Sequence, residues 1–485
     1  MVLAELDYAT RYANRLLQDL SDARRLAAQP ETHPAVRWAH SGSMALTGYP
    51  GEPAQMCPVP LASYADGIIA ALRNFQPLSP LTAIDGARLL GERAALAAYE
   101  RRGDIAAGGS CRLLQAADGW LAVNLARPSD WQMLPAWLQA GPISHWAAVA
   151  AALRSRRIGE CVERGRLLGL ALAPLESAEP SPRPWCRELE RGAPRCRPPP
   201  GSPLVIDLSS LWAGPLCAHL LQMMGARVVK VESSGRPDGM RYAGGGFYDL
   251  LNAGKASVAL DFNLSLARAQ LRQLLLRADI VIEASRPRAL RQLGILAEEI
   301  LEENPGLTWI AISGHGREEP AAAWIAYGDD GAVAGGLSQV MWDCSGGPCF
   351  AAMRSPIRSR ACMRRWQPGA ALSGAAGACC HSRCGTSSPT VLPSRACLTA
   401  PQARRVPPSG IGTFARVTSL HPVAGQSARR RAHWAQTRWK SCPGRVRADR
   451  RAAAGPQTPQ RVVRAARVPA WRPKKVASAS DSPEL

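Results

Sequence analysis

The stretch from Leu204 to Asp261 constrains this chain most, because it reads as strand, helix, strand and ligand loop in succession. Leu204-Val-Ile-Asp-Leu208 is a short apolar run of buried-strand length. Ala213-Gly-Pro215 opens a helix, since proline has no amide hydrogen to leave unpaired in a first turn. Leu216, Leu220, Leu221 and Met224 recur at helical spacing, and Gly225 stands where a helix end favours positive φ. Arg227-Val-Val-Lys-Val-Glu232 is the second strand, which makes a right-handed βαβ unit of a parallel sheet.

The pattern continues. Phe247 to Leu251 is expected to be helical, Asn252 to Ser257 a polar loop, and Val258-Ala-Leu-Asp-Phe262 a strand. A helix over 265–277 precedes the strand Asp279-Ile-Val-Ile-Glu283. Ser285 to Gly294 is a basic loop entering a helix, and Thr308-Trp-Ile-Ala-Ile312 is a further strand before Ser313-Gly-His-Gly-Arg317. Alternating strands and helices predict an α/β fold with a doubly wound, Rossmann-like parallel sheet. Its ligand belongs beyond the strand carboxyl ends, which carry Trp212, Asp261, Ser285 and Gly314.

The formal charge of +21 is not spread along the chain. Residues 351–485 hold 25 Lys and Arg against 3 Asp and Glu, whereas residues 1–350 hold 34 basic and 35 acidic residues. The first 350 residues therefore have the balance of an ordinary soluble enzyme. The 14 cysteines show no CxxC pair, and the cluster Cys379-Cys380-His381 with Cys384 has irregular spacing for a metal site. The acidic start, Met1 to Asp7, lacks a signal-peptide core, and no apolar run is long enough to span a membrane. A cytoplasmic protein with reduced thiols is expected.

Ahead of the βαβ unit, helices are expected over 3–28, over Ile68 to Leu72, around Glu92 to Leu96, from Asp130 through Trp137, and over 146–169. His33-Pro34 should end the first of these. Gly108 to Leu114 and Trp120 to Val123, joined through Asp118-Gly119, read as a β-hairpin. Residues 176–203, with Pro180, Pro182, Pro184 and Pro198-Pro-Pro200, read as a linker.

Lys255, Arg286, Arg288 and Arg291 come from two loops that could share one rim beside a helix N-terminus, which suits a phosphorylated ligand. Solvated surface charge is the alternative. Glu232 ends the second strand, where a dinucleotide-binding fold places a ribose-binding acid, but the unit lacks GxGxxG. A nicotinamide dehydrogenase is thus a second possibility.

Four segments, "VIDLSSLWAGPLCAHLLQMMGARVVKVE", "LLNAGKASVALDF", "ADIVIEASRPRALRQLG" and "NPGLTWIAISGHG", resemble in order and spacing the N-terminal half of the class III CoA-transferases of CaiB/BaiF type. That family includes formyl-CoA and carnitine CoA-transferases and alpha-methylacyl-CoA racemases. The resemblance implies coenzyme A, as acyl-CoA, bound along Trp212-Ala213, Leu260-Asp261-Phe262-Asn263 and Ala284-Ser285-Arg286. Arg291 lies one place from the family's usual arginine, which is Gln292 here. The resemblance also implies an aspartate nucleophile that attacks the thioester, giving an anhydride and then an enzyme-bound CoA thioester. That aspartate follows a pattern whose beginning matches Tyr327-Gly-Asp-Asp330 and Gly335-Gly-Leu337, and the match stops at Phe350.

Past Phe350, Arg, Ala, Pro, Ser and Cys dominate without periodicity, as in GC-rich DNA translated out of frame. The codons of Ala351 to Met363, read one frame over, permit Gly-Asp-Ala-Ile-Ala-Asp-Pro-Leu-Thr-Gly-Leu-His, which is the missing nucleophile motif. A frameshift near codon 350 is therefore expected, leaving 351–485 as a disordered basic tail and the chain inactive. The rival reading is a genuine Arg-rich arm, with Trp366, Trp434, Trp439 and Trp471 interleaved, that binds nucleic acid.

Residues 36–175 are similar to the later part of the same family, so residues 1–175 look like a shortened copy joined by the linker to a second copy over 204–350. Ser63 takes the nucleophile's place in the first copy, with no base evident, and Asp66 reads as a helix N-terminal acid. His315 is either a proton-abstracting residue, as in the racemases, or plain loop structure. The resemblance implies interlocked homodimers; the lost return segment argues against them unless the first copy supplies it within the chain.

Overall fold

A computed structural model describes residues 7–20, 22–176, 186, 201–244 and 246–351. The tail expectation, and the linker expectation apart from residues 176, 186 and 201–203, fall outside the described residues.

In the first segment a small antiparallel sheet runs in the order β1 (Cys111–Ala116), β2 (Gly119–Asn124), β3 (Ala171–Pro174). The expected hairpin is present, with Ala116 opposite Gly119 across the turn. A parallel sheet follows: β4 (Leu204–Asp207), β5 (Arg227–Ser233), β6 (Ala256–Leu260), β7 (Ile280–Glu283) and β8 (Thr308–Ala311). Its order is β6-β5-β4-β7-β8, all parallel, so the chain winds outward in both directions from β4. The central strands are buried on both faces, which is why Val205, Ile206, Val281 and Ile282, none of them solvent-exposed, form continuous apolar runs rather than alternating ones. The expected α/β class and parallel sheet are therefore observed.

One face of the sheet packs on the helices Ser265–Leu276, Pro287–Gln292 and Ala297–Glu303 through Leu271, Leu275, Leu290 and Ile300. The other face packs on the helix Ala213–Met223 and, in the same core, on two first-segment helices, Tyr8–Asp19 and Leu61–Phe75, through Leu16, Leu17, Ile69 and Leu72. Those two helices approach so closely that a Cβ on Gly67 would lie 2.5 Å from the Ala9 carbonyl oxygen.

The two segments are also stitched together at the far end of the α/β segment. The helices Gly328–Ala334 and Leu337–Ser345 lead into Cys349, Phe350 and Ala351. Val333 and Phe350 pack with Leu113, Ala122 and Ala173 of the small sheet, while Met341, Cys349 and Ala351 pack with Trp38, Cys57 and Leu90. Tyr49 Oη donates to the Pro348 carbonyl at 2.6 Å, and the Phe350 amide to the Gly103 carbonyl at 3.1 Å.

Several expected boundaries shift for local reasons. The helix expected over 3–28 is observed as Tyr8–Asp19, and His33-Pro34 starts a helix instead of ending one. His33 Nδ1 accepts from the Ala35 amide, and Pro34 takes the first helical position. The helix expected through Trp137 is split into Pro128–Gln132 and Leu134–Leu138, because Pro135 has no amide to donate backwards. The one expected over 146–169 is split into Trp146–Leu153 and Ile158–Leu167, the second held at its start by Asp118 Oδ1, which accepts from the Ile158 amide at 2.8 Å. β6 starts two residues before the expected strand. Reduced thiols are found at Cys57, Cys111, Cys161, Cys186, Cys344 and Cys349, but Cys217 is disulfide-bonded, which corrects the expectation for that residue. No helix among the described residues is long and apolar enough to cross a membrane.

Candidate ligand site at the carboxyl edge of the parallel sheet

The strands β4 and β5 supply a buried ionic floor beneath the carboxyl edge of the sheet. Asp207 closes β4, and its carboxylate accepts from Lys255 Nζ at 3.1 Å, from the Ser209 amide at 3.0 Å and from Ser209 Oγ. Lys255 Nζ also donates to the Pro215 carbonyl and to Asn252 Oδ1, each at 2.9 Å. Burial pushes the Lys255 ammonium below its ordinary pKa, against the opposing pull of Asp207. Lys255 is thus an interior residue, not part of a solvated rim: its side chain is 1% exposed.

Lys230, on β5, pairs with Asp238 at 3.1 Å and donates to the Ser209 carbonyl at 2.8 Å. Asp238 in turn accepts from the Leu211 and Met240 amides. This holds Leu211 in the left-handed region, at φ 70°, one residue before the Trp212 cap of the helix Ala213–Met223. Gly214 lies directly over Ser209, where a Cβ would come within 2.1 Å of that side chain. The loop after β4 is therefore fixed from below by two buried ion pairs.

Glu232, considered above as a ribose acceptor, is already engaged. It accepts from Arg241, from Tyr248 Oη at 3.1 Å and from the Asp238 amide at 2.8 Å. Burial raises its carboxyl, but Arg241, the Asp238 amide and Lys230 outweigh that and hold it at about 2. A ribose would have to displace those donors, which disfavours the dehydrogenase reading.

Above the floor, Trp212 is 9% exposed and meets Phe247 edge-on, with ring centroids 5.4 Å apart. It also lines a cleft between the two segments with Leu46, Arg93, Gly108, Asp329 and Phe350. Ala213 begins the helix beside it. Leu260 ends β6, and Asp261 turns the chain by accepting from the amide and Nδ2 of Asn263, both at 3.0 Å. Ser285 Oγ donates to Glu283 Oε1 at 2.8 Å, and Arg286 caps the helix Pro287–Gln292. Arg291 is at the surface and pairs with Glu298 at 2.7 Å. Trp212, Ala213, Ser285 and Arg286 follow the adjacent strands β4 and β7, whereas Leu260, Asp261 and Asn263 follow the edge strand.

Ser63 is fully buried in the helix Leu61–Phe75 and does not line the cleft. Asp66 is not a first-turn acid: it accepts from Arg37 Nε at 2.8 Å and from the Ala87 amide at 2.9 Å. The His315 ring meets Trp324 edge-on, and the Arg166 guanidinium stacks over the same indole at 3.8 Å.

The sequence marks Asp329 and Asp330 only as the start of the nucleophile pattern and assigns neither a place in the site. Asp329, buried at the start of the helix Gly328–Ala334, lines the cleft together with Trp212. Asp330 accepts from Asn124 Nδ2 of β2 at 2.8 Å and from the Tyr327 amide at 3.0 Å. Burial pushes the Asp330 carboxyl up to about 7, with Asn124 and the Tyr327 amide opposing.

Residues 203–385 match CoA-transferase family III. The succinyl-CoA–D-citramalate CoA-transferase of Chloroflexus aurantiacus is 34% identical over 143 residues, covering 28% of this chain and 36% of that protein. The acetyl-CoA:oxalate CoA-transferase of Acetobacter aceti is 34% identical over 130 residues, covering 26% and 33% respectively. A solved CAIB/BAIF family protein from Brucella suis is 28% identical, with a TM-score of 0.25, over 31% of this chain and 40% of that one. The chain spans about a third of the length of the curated relatives it matches.

Proposed function

We infer that this chain, whose residues 203–385 carry the family III pattern, binds a CoA thioester at the carboxyl edge of its parallel sheet and does not carry CoA transfer through. The observation that carries the binding half is the strand order β6-β5-β4-β7-β8, which puts its switch point between β4 and β7. A ligand of such a sheet lies in the crevice there, between the Trp212 cap and Arg286. Trp212-Ala213 and Ser285-Arg286 flank the bound CoA, with Leu260 to Asn263 at its outer end. Arg286 meets its phosphates, and Lys255 supports the loop without touching the ligand.

The missing step is the attack on the thioester. Ser63, the counterpart of the nucleophile in the first copy, is enclosed in a helix. In this reading the attacking aspartate of the second copy is encoded one frame over after Phe350. Residues 1–175 are then a shortened copy, 176–203 a linker, 204–350 the CoA-binding domain and 351–485 an out-of-frame tail. The family match runs to residue 385, so the nucleotide sequence across codons 340–370 decides where, and whether, the frame is lost. The first segment fills the place of a threading partner, so no interlocked homodimer is required.

The test of function is a transfer assay on the full chain with acyl-CoA and carboxylate acceptors. No transfer above the protein-free control is expected. Turnover that disappears in Asp329→Asn would contradict the reading and make the cleft carboxylate the nucleophile. A second reading rests on the basic excess of the last 135 residues: nucleic-acid binding, which predicts a steeply salt-dependent shift of RNA or DNA by the chain.

A further inference from the structure

Three turns that are remote in sequence bring arginines to one place. Arg236 lies in the tight turn after β5, where Ser233 and Arg236 bridge, and Arg286 follows β7. β5 and β7 flank β4, so the two turns stand on the same edge roughly 10 Å apart, two strand spacings. The third arginine belongs to the first segment. Arg127 follows β2 and caps the helix Pro128–Gln132, and β2 reaches the α/β segment through the Asn124–Asp330 hydrogen bond.

Tyr327 is the shared neighbour. It is close enough to Arg127 and Arg236 for their charges to act on its hydroxyl, and Arg286 senses Arg127, Arg236, Arg288 and Tyr327. Burial comes first among the causes that depress Arg286, and these neighbouring cations add to it. Among the described residues neither Arg236 nor Arg286 has a carboxylate within ion-pair distance, whereas Arg127 has Asp130. Arg127 spends Nε and Nη2 on Asp130 and the Gly169 carbonyl, and Nη1 makes no hydrogen bond among the described residues. Like charges are costly to gather at a half-buried rim unless an anion spreads among them.

We propose that Arg127 of the first segment joins Arg236 and Arg286 in one clamp around Tyr327 that holds the phosphate groups of the ligand. The proposal rests on the CoA reading above and extends it, because it makes the first segment part of the binding site. The clamp's chemistry is a pyrophosphate or phosphomonoester, and the rest of the ligand is held elsewhere along the edge.

The test is calorimetric titration of the full-length chain with CoA, with pantetheine, which lacks the phosphates, and with inorganic pyrophosphate. The variants are Arg236→Ala, Arg286→Ala and Arg127→Lys; the last retains a charge beside Asp130 while losing the fork, and circular dichroism checks its fold. Each variant is expected to weaken CoA and pyrophosphate about 10-fold or more and to leave pantetheine unchanged. Arg236→Ala carries the test should Arg127→Lys fail to fold, since Arg236 is exposed and ion-paired to nothing among the described residues. CoA affinity unchanged in Arg236→Ala and Arg286→Ala would overturn the clamp while leaving CoA binding intact. Pyrophosphate binding lost in the variants, with no CoA binding by the parent, would support the clamp and remove the CoA reading instead.

Discussion

The carboxyl edge of the parallel sheet carries two sets of cations in contrasting settings. Lys230 and Lys255 lie below the loop after β4, each buried against a carboxylate at 3.1 Å. Arg236 and Arg286, the upper set, stand in the turns after β5 and β7, with no carboxylate partner among the described residues. The ammonium is a compact point charge that three acceptors can enclose, as Asp207, Pro215 and Asn252 enclose Lys255. The guanidinium is a fork that stays available to an anion from outside. The lower set builds the platform, and in the proposed reading the upper set is the one that meets the ligand.

The largest effect that could break this contrast is on the lower set. Lys230→Met leaves the buried Asp238 carboxylate unmatched and should cost about 3–5 kcal/mol, read as a lower urea midpoint at unchanged slope. If stability held and only ligand binding fell, the platform role would be wrong.

The next effect concerns the joint between segments. The Asp330 carboxyl has a folded pKa of about 7, above the ordinary 3.8. The folded state therefore holds its proton more tightly than the unfolded state. Its stabilising contribution is complete below about pH 4 and is lost as pH rises through 7. The difference across that window is up to about 4 kcal/mol at roughly 1.36 kcal/mol per pKa unit. Asp330→Asn should flatten the unfolding free energy between pH 4 and 7; a profile identical to the parent's would remove the buried carboxyl from the joint.

Smaller effects belong to the upper set. Arg286→Ala should leave stability within about 0.5 kcal/mol, as for a residue outside the core, so any loss of CoA affinity reports contact with the ligand. Arg291→Ala should do least: its pair with Glu298 is exposed and worth about 0–1 kcal/mol. CoA affinity lost in Arg291→Ala but not in Arg286→Ala would move the phosphate site one helix turn outward.

The same contrast shows what the sequence could reveal. The runs Leu204-Val-Ile-Asp207 and Ile280-Val-Ile-Glu283 are legible because strands buried on both faces are apolar throughout, and Pro215 and Pro287 mark helix starts. The sequence puts Lys255 on a rim because spacing cannot tell an inward lysine from an outward one. The available signal was Asp207, a charge closing a buried strand that requires a partner. The helices Gly328–Ala334 and Leu337–Ser345 are not legible in the sequence because glycines at 328, 331, 335 and 336 weaken local propensity, and packing against the first segment stabilises them. Nothing local connects Arg127 to Arg286; only the docking of β2 on the α/β segment does so.

The central claim is that the switch point of this sheet is a CoA site. Its most direct test is titration of the full-length chain with CoA in a calorimeter at low salt. One CoA bound per chain, weakened by Arg286→Ala and unaffected by Arg291→Ala, is the predicted result. No saturable heat from a chain with a native circular-dichroism spectrum would contradict it.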